Sequence, residues 1–407
     1  MKYYRTIKRH LCYKYLLSKC RWLCFITTLS VFYIFIRCYS FTSELTFMNS
    51  FLETEKCWNF NYDDQIPKLI LFWTQTYMRI NISLEYWNQK FNDKTCPYHQ
   101  CEVIFDRSKL CQSSALVFHL RDIDLNYLPQ HRSAKQRFVL YSMEPPHLNP
   151  KFVANMNNYF NWTATYRQDS DMITSYVYWR KRKKILGQLA EQDYLKNRSA
   201  KVAWLVSNCY SHNHRELYSE RLSKAINMTI VGKCSKTSSN ICNKTIRECL
   251  DQLANDHSFY LAFENSFSKD YITEKYQHQI ELKKMIPIVF ETNHYNYQKL
   301  VIPNSYIDAN KFDSPENLAD YLKQLVLSKD KYNKYFQWQH EYEAYEDPTK
   351  TFLCEMCRKL WNKNEPKKVY NNIKKWLFED ANCQRWSSNK NGTIPIPIHE
   401  SIVYRDP

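Results

Sequence analysis

A tyrosine and two opposite charges lie within five residues in the stretch "YITEK". Tyr271, Glu274 and Lys275 follow the apolar run "FYLAF", which begins at residue 259. In the first turn of a helix, free backbone N–H groups and the helix dipole attract anions, and Lys275 adds a full positive charge. A diphosphate suits that point without any glycine, whereas Glu274 suits a vicinal diol such as a ribose. Taken alone, a capped and solvated amphipathic helix explains the same residues.

The segments around this motif follow the order strand, helix, strand. Phe259–Glu264 predicts a strand, Thr273–Lys284 a helix and Ile286–Phe290 the next strand. The loop between the first strand and the helix then lies at the carboxyl end of a parallel strand, where open α/β sheets bind ligands. Thr273 or Asp270 can cap the helix.

The rest of the chain repeats this alternation. Continuous apolar runs predict strands that are buried on both faces of a parallel sheet, namely Leu69–Trp73, Ala115–His119, Arg137–Met143 and Ala203–Ser207. Residues 214–226 and 315–327 have helical spacing, with a serine cap and Pro315 at the start of the second helix. Two α/β domains that face each other across a cleft, joined by a basic connector at 179–199, are the simplest interpretation.

The composition excludes the two common glycine-rich phosphate loops and disfavours nucleic-acid binding. The 407 residues include only three glycines, so neither G-x-G-x-x-G nor G-x-x-x-x-G-K-[ST] can be formed. The net charge is +16, but residues 1–37 hold eight basic residues and no acidic one. Because the remaining chain is nearly balanced, a basic nucleic-acid-binding face is the less favoured interpretation.

The N-terminal segment predicts a membrane anchor. "WLCFITTLSVFYIFI" contains 15 residues without a charge between Arg21 and Arg37, and the span extends to about residue 41 if Arg37 reaches the interface. Positive charges before the span keep the N-terminus cytosolic. We therefore predict a type II protein with a cytoplasmic tail at 1–21, a signal-anchor at 22–41 and a stem at 42–62. A cleaved signal peptide is the alternative.

Sequons and cysteines beyond the span fit an oxidising lumen. The six N-x-[ST] candidates for N-glycosylation are Asn81, Asn161, Asn197, Asn227, Asn243 and Asn391. Eleven of the 15 cysteines lie there too, and "CEMC" (Cys354, Cys357) predicts one disulfide or half of two. A zinc site is disfavoured because no second ligand pair is near. Eleven is odd, so one thiol should stay free.

Several blocks in order carry a family resemblance. "FYLAFENSFSKDYITEKY" resembles the signature of the α1,3/4-fucosyltransferases, which move L-fucose from GDP-fucose onto N-acetylglucosamine in glycans. The resemblance covers roughly residues 66–360 and includes "VFHLRDID", "FVLYSMEPPH", "FNWTATYRQDSDM", "VAWLVSNCYSHNHRELYSERL", "NSYIDANKFDSPENLADYL" and a late C-x-x-C. It implies a lumenal GT-B architecture, with an acceptor-binding domain at 63–195, a GDP-fucose-binding domain at 196–350 and a C-terminal disulfide segment and tail at 351–407.

The resemblance also implies roles for individual residues. Tyr271, Glu274 and Lys275 match residues that hold the nucleotide sugar, with the lysine on phosphate and the glutamate on ribose. Arg215 matches an arginine on the diphosphate, and the other donor-binding matches are Ser207, Asn208 and Asn265.

Glu144 is the expected general base. It follows a predicted strand and precedes Pro145, which keeps its backbone extended. An exposed loop glutamate would explain the residue alone, but "YSMEPP" matches the family motif around the base.

Acceptor-side or structural roles are expected for five residues: His119, Arg121, Arg167, Asp169 and Asp171. "DSD" invites a metal hypothesis, but the family needs no obligatory metal, so a divalent cation is at most stimulatory. Trp338 is expected in the core and not on a sugar platform.

Departures from the family pattern leave alternatives open. Glu291 stands where many members have glycine, and Cys209 stands where many have an aromatic residue, so either could impair activity. The expected function is inverting transfer of L-fucose from GDP-β-L-fucose to the 3-OH of GlcNAc at the Golgi membrane. The partners are then GDP-fucose and a glycan, with no nucleic acid. The alternatives are an inactive lumenal glycan-binding protein of the same fold and a transferase with another donor. Lewis-type antennae, LacdiNAc and the N-glycan core remain as acceptors.

Overall fold

The computed structural model describes residues 57, 60–63, 65–74, 84–92, 96–187, 192–235, 242, 245–290, 297–346, 351–390 and 392–395. The chain divides into two units. The smaller unit comprises residues 1–61, 108–112 and 128–135, and the larger one comprises 62–107, 113–127 and 136–407. A disulfide joins Cys57 to Cys111 within the smaller unit. Both large sheets lie in the larger unit.

Fifteen strands occur among the described residues. In chain order they are β1 Lys68–Phe72, β2 Cys101–Ile104, β3 Ser113–His119, β4 Arg137–Ser142, β5 Trp162–Thr165, β6 Met172–Ile173, β7 Trp179–Lys181, β8 Ser199–Leu205, β9 Asn227–Val231, β10 His257–Leu261, β11 Ile286–Val289, β12 Ile307–Asp308, β13 Tyr342–Ala344, β14 Gln384–Ser387 and β15 Gly392–Pro395.

The α-helices of the described part number eight. They are α1 Leu84–Asn92, α2 Arg215–Ala225, α3 Ile246–Leu253, α4 Glu274–Leu282, α5 Tyr297–Leu300, α6 Pro315–Leu325, α7 Lys329–Asn333 and α8 Phe352–Trp361. Ser314 caps α6 by accepting from the N–H of Asn317, with Pro315 in the first turn, as predicted.

The first sheet has six parallel strands in the order β2-β1-β3-β4-β5-β6. Its central strands β1 and β3 are buried along their whole length, as their continuous apolar runs predict. The chain returns to this sheet at α8, where the ring of Phe352 stacks on Tyr141 with centroids 4.8 Å apart.

The second sheet has five parallel strands in the order β12-β11-β10-β8-β9. The next strand after β8 in sequence, β9, lies on one side of it, and β10 lies on the other. The order of the strands therefore reverses between β8 and β10. In open α/β sheets, the carboxyl ends of the two strands at such a point form the ligand crevice.

The predicted elements are confirmed with small shifts at their ends. All six predicted strands and all three predicted helices form, and Lys283, with φ of 55°, ends α4 in a left-handed conformation. The architecture is therefore α/β with parallel sheets. The basic connector begins as β7, which pairs antiparallel with β13.

The described cysteines form five disulfides. Cys354 and Cys357 pair with Cys96 and Cys101, so "CEMC" is half of two disulfides that join α8 to the first sheet. The other two link Cys209 to Cys234 and Cys242 to Cys249. Cys383 is the predicted free thiol within the described chain.

The predicted anchor at 22–41 lies outside the described residues, as does most of the stem. Within the part of the chain that is described, no helix has the length and apolar character needed to cross a bilayer.

Candidate active site

The start of α4 holds a compact cluster of charges. The ammonium of Lys275 lies 3.0 Å from a carboxylate oxygen of Glu264 and 2.9 Å from one of Glu274. The same ammonium donates to the Thr273 hydroxyl at 2.7 Å. Thr273 occupies the N-cap position, but its side chain does not cap the helix. Its N–H and hydroxyl both donate to Glu264 at 2.7 Å, so Glu264 fixes the first residue of the helix.

The pKa values of the two carboxylates in this cluster are shifted in opposite directions. Burial raises the pKa of Glu264 above its ordinary value, although Lys275 acts in the opposite direction. Burial alone would also raise the pKa of the half-exposed Glu274, but the Lys275 charge and hydrogen bond lower it overall. For Lys275, burial would lower the pKa, but the two carboxylates outweigh it and the pKa is raised. The cation at the helix start is therefore held charged.

Arg215 stands at the start of α2, the helix that follows β8. It is buried, and its guanidinium donates to the carbonyls of Phe263 at 2.6 Å and Asn208 at 3.2 Å. It thus ties together the loops that follow β8 and β10. Burial lowers the pKa of Arg215, and the Glu264 charge opposes that shift. Its Nε is buried without a hydrogen-bond partner.

The predicted donor residues meet where the strand order reverses. Ser207 and Asn208 follow β8 and are exposed, while Asn265 follows β10 and is half-buried. Two buried oxygens of the β10 loop, Oδ1 of Asn265 and Oδ1 of Asp270, make no hydrogen bond among the described residues. Unsatisfied buried polar atoms are uncommon in native structures, so these atoms and Nε of Arg215 mark a polar region where the hydrogen bonding is incomplete.

Tyr271 lies between the two sheets. Its ring contacts Tyr166 edge-on at a centroid distance of 4.8 Å and Tyr176 at 6.4 Å. Burial raises the pKa of Tyr271 well above its ordinary value, and the nearby charge of Glu144 adds to the shift. The hydroxyl therefore stays protonated at neutral pH and can act as a donor.

Glu144 follows β4 at the carboxyl edge of the first sheet. Burial raises its pKa, and the charges of Arg121, Lys275, Glu274 and His119 act on it too. The Lys275 charge lowers the pKa of Glu144 and the Glu274 charge raises it, so the charge cluster at the start of α4 acts on Glu144. Its carboxylate lies 3.8 Å from the guanidinium of Arg121, and its backbone N–H donates to Ser142.

Tyr176 connects the backbone next to Glu144 with Tyr271. Its hydroxyl donates to the carbonyl of Met143 at 2.8 Å, directly before Glu144, and its ring contacts Tyr271. The sequence reasoning missed this residue because nothing in "SYVYW" distinguishes one tyrosine from the other.

His119 and Arg121 lie on the same edge of the first sheet as Glu144. His119 is buried, and its ring nitrogen contacts the carboxylate of Asp122. The backbone N–H of His119 donates to the Thr74 hydroxyl at 2.6 Å. The Arg121 side chain is 47% exposed, so its guanidinium can contact a ligand in addition to the Glu144 carboxylate.

The residues of "YRQDSD" are engaged in the fold. Buried Arg167 forms a bidentate pair with Asp169 at 2.8 and 2.6 Å, donates to the carbonyl of Trp376 and stacks on that indole at 4.3 Å. Asp171 accepts from Lys368 and from Tyr370. These contacts hold Arg167, Asp169 and Asp171 within the fold. No group of three potential metal-binding side chains occurs in the described ranges.

A pair of stacked histidines joins the loop after β4 to the loop after β8. His147, three residues after Glu144, stacks on His212 from the β8 loop, with centroids 4.5 Å apart and planes 10° apart. Burial and then the His212 charge lower the pKa of His147 to about 3.

Known proteins and family models match this chain along most of its length. Residues 65–177 match the fucosyltransferase N-terminal model, and residues 195–376 match the model of glycosyltransferase family 10 (fucosyltransferase) C-term. The "Alpha-(1,3)-fucosyltransferase C" of Drosophila melanogaster is 31% identical over 350 residues, with 79% of this chain and 80% of that protein covered. This chain belongs to glycosyltransferase family 10, the fucosyltransferases.

Other fucosyltransferases show similar relationships. A human 4-galactosyl-N-acetylglucosaminide 3-alpha-L-fucosyltransferase is 33% identical, with 64% of this chain and 71% of that protein covered. A crystal structure of an α1,3-fucosyltransferase with GDP-fucose has 16% identity and a TM-score of 0.49, and the match covers 79% of this chain and 97% of that chain.

Glu264 is a second residue of the candidate site of this fucosyltransferase that was not predicted from the sequence. The signal was present, because a carboxylate directly after the apolar run "YLAF" must lie at the carboxyl end of a buried strand. Glu264 is 8% exposed and contacts both Thr273 and Lys275.

The remaining predicted sites are distributed as follows. Asn197 and Asn227 are exposed. The Asn161 side chain instead accepts from the N–H of Phe138 and donates from Nδ2 to the carbonyl of Lys368, so the atom that would carry a glycan already has a partner in the fold. Asn81, Asn243, Asn391 and Glu291 lie outside the described residues. Trp338 is 6% exposed within a hydrophobic cluster, which confirms its place in the core.

Proposed function

We propose that this fucosyltransferase moves L-fucose from GDP-β-L-fucose to the 3-OH of GlcNAc in glycoprotein or glycolipid glycans, with inversion at the anomeric carbon. The proposal rests on one observation. Glu144, a carboxylate of raised pKa, stands at the carboxyl edge of the first sheet and is influenced electrostatically by the cation held at the start of α4. A base and a cation that can bind the diphosphate are the two groups that such a transfer needs.

The donor would bind at the carboxyl ends of β8 and β10. Lys275 contacts the diphosphate together with the free N–H groups at the start of α4, and the half-exposed Glu274 accepts from the ribose hydroxyls. Arg215 adds positive charge beside this point, and its buried Nε makes no hydrogen bond to another described residue. Ser207, Asn208, Asn265 and Tyr271 complete the donor-binding set as polar groups that surround it.

The reaction would proceed by direct displacement. The acceptor 3-OH attacks the anomeric carbon of fucose, and the bond from that carbon to the β-phosphate oxygen breaks. The bonding electron pair leaves with GDP, and Glu144 takes the proton of the hydroxyl. Attack from the face opposite GDP converts the β-linked donor into an α-linked fucoside. A positioned base of this kind contributes ~10²–10⁴-fold to the rate.

The raised pKa of Glu144 suits the base role. A carboxylate at its ordinary pKa is a weak base at neutral pH, and burial shifts it toward the working pH. Lys275 and Arg215 balance the charge that develops on GDP, so no obligatory metal is needed and a divalent cation would at most stimulate. His119 and Arg121 would contact the acceptor from the side of the first sheet.

The larger arrangement is part of the same proposal. The two parallel sheets would form the acceptor-binding half (63–195) and the donor-binding half (196–350) of a GT-B enzyme. The protein would be a single-pass type II Golgi membrane protein with a lumenal catalytic part. Five disulfides among the described cysteines support an oxidising compartment.

A turnover assay with an acceptor panel tests the proposal. The full chain, purified in detergent, is incubated with GDP-fucose and a Lewis-type antenna, a LacdiNAc unit or an N-glycan core, and the linkage of the product is determined. We expect GDP release coupled to an α1,3-fucoside on GlcNAc. No turnover on any of the three acceptors, with GDP still bound, would favour the inactive glycan-binding alternative.

A further inference from the structure

A large cavity lies outside the site described above, on the surface formed by α6, α7 and β13. Its volume is ≈ 860 Å³, which falls within the range of about 300–1,000 Å³ for ligand pockets. The donor and acceptor residues do not line it. We call it the aromatic cavity, because Tyr306, Tyr321, Tyr335 and Tyr342 contribute to its wall.

The aromatic wall is ordered by specific contacts. The hydroxyls of Tyr321 and Tyr335 lie 2.6 Å apart, and the ring of Tyr342 meets Trp179 edge-on at 5.4 Å. Trp338, which is largely buried in the core, also lines the cavity. Planar rings that are fixed in position and half-exposed suit the flat apolar faces of sugar rings, with hydroxyl groups beside them for hydrogen bonds.

Positive charge collects around the same cavity. Lys311, Lys331 and Lys334 line it and are exposed, and none of the three forms an ion pair within the described chain. Among the lining residues, Glu341 carries the one negative charge. Cations that the fold does not neutralise are available to an anionic ligand.

The basic connector extends this charge. β7 pairs with β13, so residues 180–184 run beside Tyr342, and the Lys181 ammonium lies 5.9 Å from the Tyr342 ring centre. Arg180 and Arg182 share the single carboxylate of Glu343. The exposed Lys183 and Lys184 form no ion pair with any described residue.

We propose that the aromatic cavity and the basic strand beside it form a second glycan-binding site, which takes an acidic oligosaccharide with sulfate or carboxylate groups. The rings would stack on sugar faces, and the lysines would bind the anionic groups. The five disulfides support an oxidising compartment, where acidic glycans are more accessible polyanions than nucleic acids. The N–H of Tyr178, directly before β7, donates to Gln277 of α4 at 2.9 Å, so the basic strand is fixed to the helix that carries Lys275.

Direct binding tests this inference independently of fucosyl transfer. The full chain is titrated with a sulfated hexasaccharide, a neutral hexasaccharide, polyglutamate and phosphatidylserine vesicles. We expect binding of the sulfated sugar that weakens as salt rises, and little binding of the other three probes. Equal binding of polyglutamate or of the vesicles would overturn the proposal, because it would show charge attraction or membrane contact without sugar recognition.

Matched variants locate the site. The triple variant Lys311→Ala, Lys331→Ala, Lys334→Ala should weaken binding of the sulfated sugar by about tenfold or more. A control triple variant removes three exposed lysines elsewhere, at Lys151, Lys363 and Lys390, and should weaken it by less than about twofold. Tyr335→Leu keeps apolar bulk and should also weaken binding, which polyanion attraction alone does not predict. An equal loss in both triple variants would overturn the assignment. Thermal unfolding checks that each variant folds.

Discussion

The ammonium of Lys275 lies 3.0 Å from a carboxylate oxygen of Glu264, which is buried at the end of β10. Glu264 also accepts from the N–H and the hydroxyl of Thr273. One carboxylate therefore fixes both the first residue of α4 and the cation in its first turn. The cation, the free helix N–H groups and the helix dipole all favour an anion at the same place.

Removal of this cation should mainly weaken donor binding. Lys275→Ala is expected to lower the affinity for GDP by roughly 10- to 100-fold, since it removes a charge-assisted hydrogen bond to phosphate. Titration calorimetry with GDP measures the effect. Lys284→Ala is the matched control, because Lys284 pairs with Asp251 beyond the other end of α4. An unchanged dissociation constant for GDP in Lys275→Ala would contradict the phosphate assignment.

Glu264→Gln should change both the thermal stability of the protein and its affinity for GDP. The fold raises the pKa of Glu264, so its contribution to stability is full below the ordinary glutamate pKa and is lost as pH rises through the folded value. Glutamine removes the buried charge, but it also puts an NH₂ donor where an oxygen accepts from Thr273 or Lys275, so the variant should be less heat-stable than the wild type at pH 7. Its affinity for GDP should fall, because Lys275 loses one of the two carboxylates that position it. A clear loss of thermal stability with unchanged GDP affinity would show that Glu264 has a purely structural role.

Tyr176→Phe should slow turnover without a change in donor binding. The variant loses the hydrogen bond to the carbonyl of Met143, and Glu144 is then held less firmly. We expect kcat to fall by roughly fivefold, the equivalent of one hydrogen bond, and KM for GDP-fucose to stay the same. Tyr332→Phe is the matched control, since its hydroxyl also donates to a backbone carbonyl, that of Ser258, in the core of the second sheet. An equal fall in kcat in both variants would mean that Tyr176 acts only through stability.

The stacked histidines predict acid sensitivity. The folded state lowers the pKa of His147 to about 3, so the stability that this residue contributes is present above the unfolded value of about 6.5 and is lost as pH falls toward 3. At pH 5 the loss is at most ~2 kcal/mol. His147→Phe keeps the stacked ring and cannot titrate, so its unfolding temperature should fall less between pH 7 and pH 5. Identical pH profiles for the variant and the wild type would show that other groups control the acid response.

The strands and helices could be predicted because their signals are local. β1, β3 and β10 are continuous apolar runs, and α6 carries a serine cap and a proline in its first turn. Short strands such as β5, in "WTAT", and β9, in "NMTIV", gave no such signal because they form by pairing with a neighbouring strand.

The site was predicted in part. Glu274 and Lys275 are adjacent in sequence and could be assigned together. The partners of the two cysteines in "CEMC" could not be predicted, since 258 and 256 residues separate the bonded cysteines. The contact of Tyr176 with Met143 and Tyr271 depends on how the two sheets meet, which no local pattern encodes. Thr273 or Asp270 was expected to cap α4. Thr273 stands at the N-cap position, but its hydroxyl donates to Glu264, a partner nine residues away, and no side chain caps the helix there.

The base role of Glu144 is the central claim, and the turnover of Glu144→Gln tests it most directly. The variant keeps the shape of the side chain but cannot take a proton. Turnover of GDP-fucose should fall by ~10²–10⁴-fold while the dissociation constant for GDP stays within about twofold. Glu316→Gln, the same substitution at a surface carboxylate paired with Arg221, should leave turnover unchanged. Turnover of Glu144→Gln close to that of the wild type would contradict the account.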